Sequence, residues 1–150
     1  MRITFTTLIA TAFLAPAALA DTVITYTADD ITYDDLMFGL ENAIIDEGLV
    51  ISEHNHVGDM LERTKADVGS DVTIYVHADV FGFCSAELSR KAMEEDPLNI
   101  RYCPYRLFTY QTVEDGPVLI GYDSLPETKV MQDVQALLDR LAKAAIGIEE

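Results

Sequence analysis

The chain predicts an α+β domain in which a mainly antiparallel sheet carries helices packed on one face. Three observations lead to this class. Runs rich in β-branched and aromatic residues alternate from side to side, as half-buried strands do. Between them lie stretches whose apolar residues return at helical spacing and stop at glycine or proline. Late in the chain, Glu114-Asp115-Gly116-Pro117 joins two strand-like runs as a hairpin turn.

In order, Thr22 to Thr27 (TVITYT) reads as a first strand, with Val23, Thr25 and Thr27 on one side and Ile24 and Tyr26 on the other. Tyr33, Leu36, Met37, Leu40 and Ile44 then recur at helical spacing from Tyr33 to Glu47, and Gly48 follows where a helix would stop. Leu49 to Val57 returns to a strand-like pattern, and Asp59 to Asp67 is a short helical piece. Val72 to Val80 predicts a strand with Ile74, Val76, Ala78 and Val80 on one side and Thr73, Tyr75, His77 and Asp79 on the other. Ser85 to Glu95 suits a helix ended by Asp96-Pro97, because proline cannot continue it. Arg106 to Val113 and Val118 to Tyr122 form the hairpin arms. Ser124-Leu125-Pro126-Glu127 has the pattern of a capping box, and the last helix buries Val130, Val134, Leu137, Leu138 and Leu141.

Residues 1–20 predict a signal peptide. Arg2 supplies a positive start, an apolar run follows from Ile3 to Leu14, and Ala18-Leu19-Ala20 before Asp21 is a cleavage pattern. The apolar run is shorter than the ~20 residues a bilayer span needs. The expected product is residues 21–150, a single domain that is periplasmic or secreted and leaves the membrane once the leader is cleaved. The leader holds one basic and no acidic residue, so the formal charge goes from −16 to −17 on cleavage. Such an acidic chain excludes nucleic acid and anionic membrane surfaces as partners, since both are polyanions.

Export also bears on the two cysteines. In an oxidising compartment Cys84 and Cys103 are expected to form one disulfide, which would stabilise the fold by roughly 3 kcal/mol. A thiol-redox pair is the alternative, since Cys84 precedes a helix start where the macrodipole would lower its pKa. His54 and His56 stand two apart and share a face of an extended strand. Should that strand pair with residues 72–80, His77 joins them, with Asp59 or Met60 nearby, in a donor set suited to copper or zinc. Tyr75, Phe108, Tyr110 and Tyr122 fall on alternating strand positions as core, ligand platform or interface, and Tyr105 with Arg106 adds a polar handle for an anion. Established catalytic motifs are missing: there is no phosphate-cradling glycine loop, no Gly-x-Ser-x-Gly and no His-Glu-x-x-His.

Phe83-Cys84-Ser85-Ala86-Glu87-Leu88, Asp96-Pro97, and Cys103-Pro104-Tyr105-Arg106 at the entry to a strand resemble the family called domain of unknown function 302. The helix ending at Gly48 and the strand exit from Gly121-Tyr122 to Pro126 sit where that family places them, so the resemblance covers about residues 24 to 126. It implies a sheet resembling the TATA-binding-protein-like arrangement, often as a homodimer, and no settled activity. Cys84-Ser85 stands where Asn-Pro is common in the family. The expectation is therefore an exported binding or interaction domain of unidentified small ligand or protein partner, homodimeric and non-catalytic. Its alternative is a periplasmic thiol-redox or metal-handling protein.

Overall fold

The computed structural model describes residues 22–148, so the leader expected at residues 1–20 lies outside it. Strands β1 (Val23–Ala28), β2 (Val50–His56), β3 (His77–Cys84), β4 (Tyr105–Gln111) and β5 (Val118–Asp123) form one sheet in the order β1-β5-β4-β3-β2. Every neighbouring pair is antiparallel. Helices α1 (Tyr33–Asp46), α2 (Val57–Thr64), α3 (Ala86–Glu95) and α4 (Lys129–Ala145) complete the fold, with a short 3₁₀ helix, Pro97–Tyr102, between α3 and β4. The α+β class and the mainly antiparallel sheet expected from the sequence are thus present.

The long helices α1 and α4 cover one face of the sheet. From α1 come Leu36, Leu40 and Ile44, and from α4 come Val134, Leu137, Leu138 and Leu141, all buried. They meet Phe81 and Phe83 of β3, Tyr105 and Leu107 of β4, and Val118, Ile120 and Tyr122 of β5. The helices approach closely at Gly39, where an added Cβ would lie 2.5 Å from the Ala145 carbonyl oxygen. Among the described residues, no long helix lies on the opposite face. There α2 forms a rim, with Val57 and Met60 bordering the same cleft as Val80 and Phe108.

Local chemistry explains where α1 starts and stops. Thr32 Oγ1 accepts from the Asp35 amide at 3.1 Å, and the Asp35 carboxylate accepts from the Thr32 amide at 3.3 Å, a reciprocal cap. At the other end Gly48 takes φ of 74°, the left-handed conformation that glycine adopts at little cost.

Two sequence expectations are corrected. The strand expected over Val72–Val80 begins only at His77. Residues 72–76 instead run beside α2, where Thr73 Oγ1 donates to Glu62 at 2.9 Å and accepts from Lys65 at 3.0 Å. The capping box expected at Ser124–Glu127 is also absent. Thr128 is the N-cap of α4, and it makes no side-chain cap bond. Instead the Leu125 amide donates to Gln135 at 2.8 Å and the Gln132 side chain donates to the Leu125 carbonyl at 3.2 Å. These bonds strap the segment along the side of the helix.

Asp139 of α4 ties the helix to the edge of the sheet. It accepts from Tyr122 at 2.8 Å, from Tyr26, and from Lys143 at 2.6 Å. Burial opposes its ionisation, but these three partners together hold its pKa below the ordinary 3.8. A depressed folded-state pKa contributes stability above the ordinary value that is lost as pH falls through the folded one. The stability difference between the native chain and Asp139→Asn should therefore be full at neutral pH and shrink through the acid range. Urea titrations at several pH values measure it, and a difference independent of pH would contradict the network. Gly39→Ala should cost ~1–3 kcal/mol in the same assay, because the α1–α4 contact has no room for a methyl group.

Candidate metal centre

The centre begins with an irregularity in an edge strand. Between Ile51 and Glu53 the β2–β3 register slips, so Ser52 is an extra residue, and its hydroxyl bonds the Gly82 carbonyl at 3.1 Å. A bulge of this kind re-aims the side chains that follow it. Ile51 pairs with Phe83, while beyond the bulge His54 pairs with Phe81 and His56 with Asp79. Both imidazoles therefore turn to the helix-covered face, at its margin. The ring of His54 stacks on Phe81 with centroids 4.1 Å apart and lies 4.2 Å from the ring of His56.

Asp79 stands between them. Its Oδ1 accepts from His54 Nε2 at 2.8 Å and from His56 Nδ1 at 2.6 Å. Its Oδ2 accepts from the Tyr33 hydroxyl at 2.7 Å. The Thr109 hydroxyl lies 2.8 Å from the same phenol oxygen. A buried carboxylate needs this full set of partners, because an unpaired one would be strongly destabilising. Burial above all, with the charge of Asp79 added and Thr109 opposing, raises the Tyr33 pKa far above the ordinary phenol value. The phenol is therefore a constant donor that orients Asp79.

The ligand atoms of His54, His56 and Asp79 all lie within 4.8 Å of one another, and among the described residues no other three His, Cys, Asp or Glu side chains converge in this way. The exposure of the side chains rises from 10% at Asp79 through 26% at His54 to 61% at His56, so the cluster is anchored inside and open outside. His77 is exposed and stacks on Tyr33 at 4.7 Å, outside the cluster, and Asp79 takes the third position. Met60 is exposed and borders the cleft on the other sheet face. The sequence pattern marked the His-x-His pair. It missed Asp79 as a partner, although the predicted alternation already put Asp79 on the face of His77.

The aromatic candidates divide between the two faces. Tyr105 and Tyr122 belong to the helix-covered core. Tyr75, Phe108 and Tyr110 form a row on the open face, with centroids 5.4 Å apart for Tyr75–Tyr110 and 6.5 Å for Phe108–Tyr110. Arg106 lies on that face too, exposed.

The expected disulfide is not formed. Cys84 and Cys103 are free thiols with their sulfurs 2.7 Å apart, well beyond the ~2.0 Å of an S–S bond. Nor does the start of α3 activate Cys84. Ser85 is the N-cap and accepts from the Leu88 amide at 3.3 Å, so the end of the helix is satisfied by its own cap. Burial first, and then the adjoining Cys103 sulfur, push the Cys84 thiol up to about 11.

Cys84 should accordingly react slowly with iodoacetamide at neutral pH. Its rate should climb about tenfold per pH unit to beyond pH 10, because the thiolate is the nucleophile. Peptide mass mapping of the alkylated native protein reads this directly. An inflection below the ordinary thiol value would show an activated cysteine instead.

With the geometry in place, comparison with known proteins is informative about kinship. The family described as domain of unknown function DUF302 matches residues 24–148, beyond the limit at 126 suggested by the sequence motifs and through α4. The crystal structure of an uncharacterized conserved protein DUF302 from Bacillus stearothermophilus is similar in fold. Its TM-score is 0.58, at 19% identity over 84% of this chain and 94% of that one. No curated protein matches the chain. The chain belongs to the DUF302 family, and the match spans the His54–His56–Asp79 cluster and both cysteines.

Proposed function

We propose that the protein binds one divalent transition-metal ion, zinc or copper, through His54, His56 and Asp79, and that it serves in metal handling outside the cytosol. The observation that supports this reading is the single oxygen, Asp79 Oδ1, facing a nitrogen of each of two imidazoles. Two neutral nitrogens and one carboxylate oxygen form a donor set that zinc and copper(II) accept readily. Binding exchanges two N–H···O bonds for coordination bonds, and each imidazole then carries its proton on the outer nitrogen. Three protein ligands leave a coordination position open, which suits a protein that takes up and releases its ion. Tyr33 plays the outer-shell part, holding the far oxygen of Asp79 and so the direction of the near one. The placement outside the cytosol draws on the leader pattern of residues 1–20.

The test is equilibrium dialysis of the purified chain against zinc and, separately, copper, followed by metal analysis and competition titration. About one ion per chain is expected, with His56→Ala and Asp79→Asn each abolishing stoichiometric retention. Tyr33→Phe should keep the fold and weaken binding ~10–100-fold, the usual cost of losing an outer-shell partner. Circular dichroism of each variant separates loss of ligand from loss of structure. Undiminished metal in the Asp79→Asn variant, or none in the native chain, would overturn the assignment.

A further inference from the structure

The side of the sheet opposite α1 and α4 holds a cleft of about 670 Å³, lined in part by Glu53, Met60, Val80, Arg106, Phe108 and Asp123. That volume is in the range of small-molecule sites. Strand register arranges its chemistry in rows. Glu53 pairs with Gly82 and Gly82 with Arg106, while the register that sets Phe108 against Gly121 brings Arg106 to Asp123. One row across the sheet therefore reads negative, empty, positive, negative. The next row is Asn55, Val80, Phe108 and Gly121, with an apolar centre. Gly82 matters because it has no side chain. The Glu53 carboxylate leans over it, with Oε2 3.2 Å from where a Cβ would stand.

Arg106 is, with Arg63, one of two described Lys or Arg residues that stand unpaired. Six basic side chains of this acidic protein are held in ion pairs with carboxylates. Among the described residues Arg106 has no ion pair, hydrogen bond or ring partner, although Glu53 and Asp123 flank it and its side chain is exposed in the cleft. A guanidinium is a forked donor matched to a carboxylate.

We propose that this cleft binds a small zwitterion with an apolar arm, an α-amino acid with an aromatic or aliphatic side chain. Its carboxylate pairs with Arg106, its ammonium with Glu53 or Asp123, and its side chain lies over Val80 and Phe108 against Met60. The flanking carboxylates disfavour a plain anion, and the guanidinium disfavours a plain cation. Only a ligand carrying both charges next to an apolar group uses every part of the lining. His54 and His56 also border the cleft, although cross-strand register sets them on the row of Phe81 and Asp79 rather than that of Val80, so the titration below is run without metal to read this site by itself.

Isothermal titration of the chain, in buffer containing a chelator, tests the proposal with L-phenylalanine, L-leucine, 3-phenylpropionate and phenethylamine. Saturable one-site binding of at least one of the amino acids is expected. The analogues lacking one charge should bind at least about tenfold more weakly, since each forfeits a charge-assisted contact. Arg106→Gln should weaken binding by a similar factor while leaving the unfolding midpoint in place. Of Glu53→Gln and Asp123→Asn, at least one should do the same. No saturable binding of either amino acid, equal or tighter binding of 3-phenylpropionate, or an unaffected Arg106→Gln variant would each overturn it.

Discussion

A five-stranded sheet with long helices on one side only must complete its core from that side, and here α1 and α4 do so by coming into near-backbone contact at Gly39 and Ala145. This contact sets the depth at which α1 lies over β3 and β4. Tyr33 is the first residue of α1, held there by the reciprocal cap between Thr32 and Asp35. Its phenol thus reaches down to Asp79 and Thr109 on two neighbouring strands. The helix packing that builds the core therefore also aims the outer shell of the candidate metal centre.

Asp79 is where packing and chemistry meet. It is buried, and a buried carboxylate persists only where its lone pairs are answered. Its three partners come from two elements distant from it in sequence: Tyr33 from α1, and His54 and His56 from a bulged edge strand. Because one side of this arrangement is fixed in the core and the other reaches solvent at His56, it combines a preformed geometry with access. The cysteine pair shows the contrast. Its sulfurs are adjacent but unbonded, burial raises the Cys84 thiol pKa, and the nearby helix end is already capped.

The two faces of the sheet carry different kinds of chemistry for the same geometric reason. On the covered face, polar groups are few and fully partnered, as Asp79, Thr109 and Asp139 are. On the open face, strand register alone places Glu53, Arg106 and Asp123 in a row beside Val80 and Phe108, with glycine opening space between charges. Family membership agrees with the fold and leaves the use of either face to the residues themselves.

Much of the architecture was legible from periodicity. The spacing of Leu36, Leu40 and Ile44, the hairpin around Gly116, and the strand face shared by Ile24 and Tyr26 were local patterns, and local patterns survive into the fold. Residue spacing alone was enough for the α+β class, the order of elements and the placing of His54 with His56 on one side of a strand. The remaining features arise from contacts between distant segments. The delayed start of β3 goes with hydrogen bonds that Thr73 makes to Glu62 of α2 and to Lys65 just past its end, and the strap at Leu125 depends on glutamines one and two turns into α4. The bulge at Ser52 decides which face His54 and His56 share with Asp79, and the unbonded state of Cys84 and Cys103 is likewise a matter of where two distant segments come to rest. A pattern of residue types records which side of an element is apolar. It does not record the cross-strand register, and register is what brings a carboxylate to two imidazoles.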